Sequence, residues 1–270
     1  MSKVRPHLLL TNDDGADSPL FELLIETMAA YADLSIAVPA QEQSWKGKSM
    51  TRHGDISVVE TEIAGQPGYA IDGTPADCVN IALYNLLERK PDLVVSGINV
   101  GLNAGLSLVW ASGTVGACLE ANIAGIPGLA LSQQLSPQTY GHWDRHRQFE
   151  STVFERLKSD TQRVMPAIWK QIFEGQQEQR SARSHAITHN VNLPFELKAP
   201  VLEQSYLGHS WYGQCFIPKP GDSADANSLF THRMQPFERD TDSQADNSIL
   251  TRGHVSVTRL DMHTFGQLDG

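Results

Sequence analysis

Two adjacent aspartates follow the first aliphatic run of the chain. In the stretch HLLLTNDDGADSP, residues 7–19, Asp13 and Asp14 come after three leucines, with only Thr11 and Asn12 between. Two carboxylates held this close repel each other unless a cation or a shared proton relieves the repulsion. An aspartate can also cap a helix or face solvent, so an isolated Asp-Asp pair leaves both interpretations open.

Two further polar clusters follow other aliphatic runs. VPAQEQSWKGKSMT, residues 38–51, carries Ser44 among several hydroxyls, and SGINVGLNAG, residues 96–105, carries Asn99 and Asn103 among glycines. Glycine lets backbone amides approach a ligand closely, and asparagine offers an oxygen to a metal or an amide to a phosphate. Either cluster alone could also be an ordinary polar turn.

A helix start completes the set of candidate residues. WASGTVGACLEA runs from Ser112, Gly113 and Thr114 into a helical pattern, where free N–H groups and the helix dipole would face an anion. Two aspartates, a hydroxyl and an asparagine oxygen form an oxygen-only ligand set, which suits Mg²⁺ or Mn²⁺ better than zinc. We therefore expect a divalent cation with a phosphate beside it.

The elements that must position these residues follow a βαβ pattern up to about residue 135. Ligands bind at the carboxyl ends of the strands in a parallel sheet, so the polar clusters should meet there. The predicted strands are 8–10, 34–40, 92–97 and 128–132, and the predicted helices are 20–32, 74–90 and the region near 114–125. A hairpin is predicted around the Gly/Pro turn AGQPG, residues 64–68.

The pattern changes beyond residue 135. We predict a long amphipathic helix over 147–173 that Pro166 breaks or kinks, and a strand that ends at Pro194. Residues 216–250 are polar and turn-rich, as in an extended arm, and 253–260 alternate as a strand does. The fold class predicted is α/β, with a C-terminal β-rich extension.

Composition excludes several classes of protein. The formal net charge of −10 over 270 residues argues against a binder that neutralises nucleic-acid phosphates. Three cysteines without CxxC spacing indicate reduced thiols. The short apolar run at the N-terminus and the lack of any run of about 18 apolar residues predict a cytoplasmic protein with no membrane contact.

Two enzyme classes lack their motifs. TNDDGA has no GxGxxG, which a dinucleotide oxidoreductase would carry after its first strand. WASGT does not fit the GxSxG nucleophile elbow of a serine hydrolase. A non-catalytic nucleotide-binding or assembly protein remains the alternative to an enzyme.

Five motifs together resemble a known family. LLLTNDDG, VPAQEQSWKGKSMT, IDGTPADCV, PDLVVSGINVGLNAG and ASGTVGACLEANIAGIPGLALS occur in the order typical of the SurE (survival protein E) 5′-nucleotidase or acid phosphatase family. The resemblance is strong over residues 7–133. It is looser in the C-terminal half, where NVNLP, DTD at 240–242 and GHVSVTRL are similar to family segments.

The resemblance implies a fold and an activity. The fold would be a Rossmann-like three-layer domain with a mostly parallel sheet, a single domain over 1–270 whose core ends near 200. The arm over about 201–270 would be exchanged in a homodimer or homotetramer. The activity would be metal-dependent hydrolysis of nucleoside 5′-monophosphates, with 3′-monophosphates and short polyphosphate as further candidate substrates.

The resemblance also assigns residues. One Mg²⁺ or Mn²⁺ per subunit would bind Asp13, Asp14, Ser44 and Asn99. Asp13 and Asp14 would be catalytic, either by taking a proton from water or by forming an aspartyl-phosphate. The phosphate-binding or substrate-binding positions would be Asn12, Asn103, Ser112, Gly113 and Thr114.

Two positions depart from the family pattern. Trp45 stands where the family usually has glycine after the serine ligand. LSLVWA, residues 106–111, is an apolar loop in our prediction, where the family usually carries acidic residues and a tyrosine. Both departures bear on substrate preference, and metal binding is compatible with both.

Overall fold

The main sheet contains nine strands within the part of the chain that the computed structural model describes, residues 5–175, 185–219, 229–233 and 238–264. Its strands are β1 (His7–Thr11), β2 (Asp33–Pro39), β3 (Val58–Ile63), β4 (Gln66–Ile71), β5 (Leu93–Val100), β6 (Gly128–Gln133), β7 (Thr188–Leu193), β8 (Leu202–Ser205) and β11 (Val255–Leu260). A separate antiparallel pair consists of β9 (Phe216–Pro218) and β10 (Phe230–His232).

The helices lie between these strands. They are α1 (Pro19–Met28), α2 (Pro75–Ile81), α3 (Leu106–Ala111), α4 (Gly113–Ile123), α5 (Pro137–His146), α6 (Ser151–Ile168) and α7 (Asp246–Thr251). Wider π-helical turns, Ala82–Leu86 and Trp169–Glu174, continue α2 and α6. Among the residues described, no helix combines the length and the apolar character needed to cross a membrane.

The strand order is β3-β4-β2-β1-β5-β6-β7-β11-β8. β4, β2, β1, β5, β6 and β7 run parallel, whereas β3 and β11 pair antiparallel with their neighbours β4 and β7. The chain passes from β1 to β2 on one side and reaches β5 on the other. The carboxyl ends of β1 and β5 therefore flank a switch point, where α/β sheets bind ligands.

Helices cover both faces of the sheet. Alternate residues of β1 point to opposite faces, so Leu8 and Leu10 pack in a core with α1 and α6, while Leu9 packs in a second core with α2 and α4. A strand buried on both faces needs a continuous apolar run, and LLL supplies it. The predicted α/β, three-layer, mostly parallel architecture is confirmed.

The region 106–111, which we expected to be a loop, is the helix α3. Its first amides are satisfied from far along the chain: Leu106 N–H donates to Gly208 O at 2.9 Å, and Ser107 N–H donates to Ser210 O at 3.2 Å. Unpaired N–H groups at a helix start need such partners. No local pattern reveals donors and acceptors a hundred residues apart, so the local prediction was wrong.

Other boundaries also differ from the prediction. The helix expected over 74–90 is α-helical only to Ile81, and a π-helical turn follows it. Pro166 lies inside α6, which continues through it to Ile168 before the wider turn. In the C-terminal region β8 and β11 join the main sheet, whereas β9 and β10 stay outside it. Parts of the predicted arm, 220–228 and 234–237, lie outside the described residues.

Gly97 in β5 provides a test of how closely β5 and β6 approach. Its φ is +130°, and a Cβ there would overlap the carbonyl oxygen of Leu131. Gly125 also has a positive φ, +77°, but open space around it. We expect Gly125→Ala to lower the free energy of unfolding by about 1 kcal/mol through backbone strain, and Gly97→Ala by roughly 2 kcal/mol more through overpacking.

Urea unfolding of both variants measures this difference. Gly125→Ala is the matched control because it carries the strain of the left-handed region without a neighbouring atom. Equal losses in the two variants would contradict the close approach of β5 and β6.

Candidate active site

The two aspartates lie at the carboxyl end of β1, at the switch point. Asp13 is 3% exposed and its Oδ1 accepts a hydrogen bond from Thr114 Oγ1 at 2.6 Å. Asp14 is half-buried and its Oδ2 accepts one from Val100 N–H at 3.1 Å. The start of α4 thus holds one carboxylate and the end of β5 holds the other.

Burial makes both carboxylates costly as anions. Desolvation raises the pKa of Asp13 to about 6, although hydrogen bonds from the Thr114 hydroxyl and backbone oppose the shift. Desolvation, followed by the negative charge of Asp13, raises the pKa of Asp14 well above its usual range. A divalent cation between them would relieve both effects, so the pair fits a metal site.

The approach of α4 to Asp13 depends on Gly113. A Cβ at residue 113 would lie 2.9 Å from Asp13 Cβ and 3.0 Å from its Oδ2. Only glycine allows the first turn of α4 to come this near the carboxylate. The predicted neighbours Asp13, Gly113 and Thr114 are therefore brought together by the fold.

A backbone hydrogen bond joins the loop that carries Ser44 to Asp13. Gln43 N–H donates to the backbone oxygen of Asp13 at 2.8 Å, which puts Ser44 one residue from that contact. Ser44 Oγ donates to Glu42 Oε1 at 2.7 Å, and Glu42 also pairs with Arg147 at 2.7 Å. The Ser44 oxygen retains lone pairs for a cation, because in this bond it acts as donor.

Asn99 is the fourth predicted ligand. Its amide nitrogen donates to Gly101 O at 3.0 Å, so the carbonyl oxygen Oδ1 is the atom suited to a metal. The β5–β6 register shifts between Ser96 and Asn99, which bends the end of β5. Asn99 immediately precedes Val100, whose N–H donates to Asp14. This hydrogen bond places the segment that carries Asn99 next to Asp14.

Asn103 belongs to a buried network of amides. Its backbone N–H donates to Asn192 Oδ1 at 2.8 Å, and its backbone oxygen accepts from the side chains of Asn190 and Asn192. Its side-chain nitrogen donates to Ser132 Oγ at 2.9 Å. The network explains why NVNLP in β7 is polar although buried. Phosphate binding by Asn103 stays a prediction.

The side chains of Asn12 and Ser112, two further predicted positions, form hydrogen bonds within their own turns of the chain. The amide of Asn12 bonds both ways with Gly15, as donor at 2.7 Å and as acceptor at 3.3 Å. Ser112 Oγ caps α4 by accepting from Val115 N–H at 3.1 Å. A substrate bound by Asn12 or Ser112 would have to share these hydrogen-bonding atoms. Substrate binding by these two residues stays a prediction.

Lys48 in the Ser44 loop does not face the aspartates. Its Nζ pairs at 2.5 Å with Glu120 of α4, and Glu120 also accepts a bond from Asn80 at 2.8 Å. The pair joins the loop to α4 and α2. The lysine therefore holds the loop against α4.

Asp77 is a positioning residue that the sequence analysis did not single out. It forms a capping box with Thr74 at the start of α2, and it also accepts from Thr51 N–H at 3.1 Å and from Thr51 Oγ1 at 2.7 Å. Thr74 Oγ1 in turn donates to Ser49 O at 2.7 Å. The capping pattern was visible in GTPAD, but its second contact with the Ser44 loop was not.

Asp246 is a second positioning residue that sequence reasoning missed. It is fully buried in α7, and it accepts from Gly105 N–H at 2.7 Å and from Gly208 N–H at 3.2 Å. These bonds hold the glycine loop after β5 against the C-terminal segment. The only hint in the sequence was the acidic DSQAD stretch, which resembles any solvated turn.

The donor set limits the choice of metal. No group of three or more His, Cys, Asp or Glu side chains that could hold a metal occurs among the described residues. A cation at Asp13 and Asp14 would therefore need neutral oxygens as further ligands. Ser44 and Asn99 each follow or precede a residue whose backbone N–H binds one of the two aspartates. Such a set favours Mg²⁺ or Mn²⁺ over softer metals.

The fold and the site define an α/β protein with a pair of buried carboxylates beside a helix start, at the switch point of a mostly parallel sheet. The family model Survival protein SurE matches residues 8–211. The chain belongs to the SurE family, as the motifs predicted.

Relatives of nearly full length support this membership. A protein named 5′-nucleotidase SurE from Geotalea daltonii is 43% identical over 94% of this chain and 92% of its own. One of the same name from Desulforudis audaxviator is 33% identical over 97% and 95%. The crystal structure of the SurE protein from Aquifex aeolicus matches with a TM-score of 0.65, at 25% identity, and covers 96% of both chains.

The tether from Asp77 to the Ser44 loop can be tested by proteolysis. We expect Asp77→Ala to lower the free energy of unfolding by about 1–3 kcal/mol, because a helix cap and a buried hydrogen-bond acceptor are lost. We also expect trypsin to cut after Lys46, Lys48 or Arg52 several-fold faster, as located by mass spectrometry. The matched control is Asp72→Ala, at an exposed position before α2. Unchanged cleavage in this loop would show that Asp77 does not hold it.

Proposed function

We propose that this chain is a metal-dependent phosphomonoesterase that hydrolyses nucleoside 5′-monophosphates to nucleoside and phosphate. The observation that carries the proposal is the pair of adjacent aspartates, of which Asp13 packs against the Gly113–Thr114 start of α4. Two carboxylates that suit a cation thus lie beside a helix start that suits an anion. The name 5′-nucleotidase given to relatives of nearly full length supports the same activity.

The metal site would consist of Asp13, Asp14, Ser44 and Asn99, with one Mg²⁺ or Mn²⁺ in each subunit. A bound divalent ion supplies Lewis-acid chemistry, because it polarises a phosphoryl oxygen and lowers the pKa of water. The oxygen-only character of these four side chains supports the choice of a hard cation.

The phosphate would lie at the first turn of α4. Backbone N–H groups and the positive end of the helix dipole favour an anion there. α4 is eleven residues long, which is enough for an appreciable dipole. Asn103, a further predicted phosphate ligand, would be oriented by its hydrogen bonds with Asn190 and Asn192.

The two aspartates would have different roles. Asp13 is almost fully buried and fixed by Thr114, so we assign it to holding the cation. Asp14 is the more exposed of the two and we assign it as proton acceptor at its carboxylate. An aspartyl-phosphate route through either carboxylate remains the alternative, and labelled phosphate retained on the protein after acid quench would identify it.

The cellular setting extends the proposal. We propose a cytoplasmic protein built as one domain over 1–270 and assembled as a homodimer or homotetramer, with the arm over about 201–270 exchanged between subunits. The arm carries the exposed apolar side chains Trp211, Leu229 and Phe230, at 40%, 61% and 49% exposure, which association would cover.

The cysteines support the proposed compartment. The buried cysteines Cys78, Cys118 and Cys215 are unbridged, as in a reducing compartment.

Phosphate release tests the proposed function. We expect nucleoside 5′-monophosphates to be hydrolysed with Mn²⁺ or Mg²⁺, and the rate to vanish with EDTA. Asp14→Asn should lower kcat by about 100-fold or more, since the variant loses a proton acceptor and a metal ligand. The panel should include 3′-monophosphates and short polyphosphate, with Glu60→Gln on exposed β3 as the matched carboxylate-to-amide control.

Three results would contradict the proposal. Release that persists in EDTA would exclude the metal site, and release unchanged by Asp14→Asn would exclude the aspartate pair. Nucleotide binding without phosphate release, in protein shown to be folded and loaded with metal, would indicate a binding protein instead of an enzyme.

A further inference from the structure

An aromatic cluster joins the Ser44 loop to the C-terminal arm. The ring centroid of Trp45 lies 5.1 Å from that of Tyr212 and 5.3 Å from that of His232. His232 in turn lies 5.5 Å from Phe216, in an edge-to-face arrangement. Neither Trp45 nor these arm residues belong to the apolar cores of the protein.

Trp45 has an unusual backbone and remains accessible. Its φ is +63°, a left-handed conformation that is unfavourable for residues other than glycine, and its side chain is 42% exposed. Core packing does not explain a large, exposed side chain in such a conformation. Backbone strain of this kind concentrates at ligand-binding sites.

The position of Trp45 is set by anchors on both sides of it. Gln43 N–H donates to Asp13 O at 2.8 Å, and Gly47 N–H donates to Ala111 O at 2.9 Å, just before α4. A Cβ at Gly116 would overlap Gly47 O, so the loop lies directly on α4. The loop is therefore held over the aspartates and the helix start, with the indole one residue beyond Ser44.

We propose that Trp45, together with Tyr212 and His232, is the subsite that binds the base of the nucleotide. This inference rests on the proposed function, because the phosphate must lie at Asp13, Asp14 and Gly113 for the base to reach Trp45. Ribose separates base from phosphate in a nucleotide, and Trp45 is adjacent to Ser44 without being part of the predicted phosphate site.

The chemistry of the cluster matches a nucleobase. Indole and phenol rings can stack on the face of every nucleobase, which gives affinity for a nucleotide whatever its base. The Tyr212 hydroxyl and the His232 ring nitrogens can donate or accept at the polar edge of a base. The subsite would therefore distinguish nucleotides from phosphomonoesters without an aromatic group, and would rank bases by stacking strength.

The test compares a nucleotide with the same phosphate lacking its base. Adenosine 5′-monophosphate and ribose 5-phosphate are assayed with Mn²⁺ in wild type and Trp45→Gly, a variant whose glycine tolerates the left-handed backbone. We expect the ratio of kcat/KM for the nucleotide over ribose 5-phosphate to fall about 5- to 100-fold, mainly through KM. Trp45→Phe should keep most of the ratio.

The matched control is Tyr84→Ala, which removes an aromatic side chain that is 59% exposed and lies in the turn after α2. This variant should keep the wild-type ratio. The inference is overturned by an unchanged ratio in Trp45→Gly. It is also overturned by equal losses on both substrates, which would mean that Trp45 only shapes the loop.

A failure of the proposed function can be told apart from a failure of this inference. If wild type hydrolyses neither compound, the proposed function fails, and titration calorimetry with the same two compounds still tests the subsite. Weaker binding of adenosine 5′-monophosphate by Trp45→Gly, with ribose 5-phosphate unaffected, supports a base subsite. Equal binding of the nucleotide by both proteins overturns it.

Discussion

The electrostatic repulsion between Asp13 and Asp14 is the constraint on which the rest of the structure depends. Both carboxylates lie just after β1, a central strand that is covered on both faces. Burial raises the pKa of both groups. Thr114 and Val100 donate hydrogen bonds to these carboxylates, and in the function we propose a cation would compensate the remaining charge.

In the function we propose, the same constraint would explain how an acidic protein accepts a phosphate. The chain carries a net charge of −10, and two carboxylates beside a phosphoryl group would repel it. A divalent cation would reverse the sign of the local charge, and the start of α4 would add partial positive charge. Gly113 lets the start of α4 come close to Asp13, which would bring the helix start next to such a cation.

Three buried polar side chains hold the loops around Asp13 and Asp14. Asp77 fastens the Ser44 loop to α2, Asp246 fastens the glycine loop to the C-terminal segment, and Asn192 supports Asn103 from β7. Each of the three bridges segments far apart in sequence. Buried groups of this kind must be satisfied, so each one enforces a particular loop position.

The sequence alone indicated the strands around the site, because LLL, LVV and GLAL are short aliphatic runs that alternate with helical segments, as in parallel sheets covered on both faces. It also located the aspartates, since polar residues after such runs must lie at strand ends. It could not reveal α3, whose first N–H groups bond near residue 208, nor the bond from Asp246 to Gly105, 141 residues away. Those features depend on tertiary contacts, and so does the ring contact of Trp45 with Tyr212 and His232 of the arm.

The measurement that tests the central claim most directly is a titration of the metal-free protein with Mn²⁺, followed by calorimetry and by the electron paramagnetic resonance signal of the free ion. The account predicts one bound Mn²⁺ per chain in wild type and in Glu60→Gln, and loss of that site in both Asp13→Asn and Asp14→Asn. Undiminished binding in the two aspartate variants, or no binding in folded wild type, would contradict the claim that these carboxylates hold a cation.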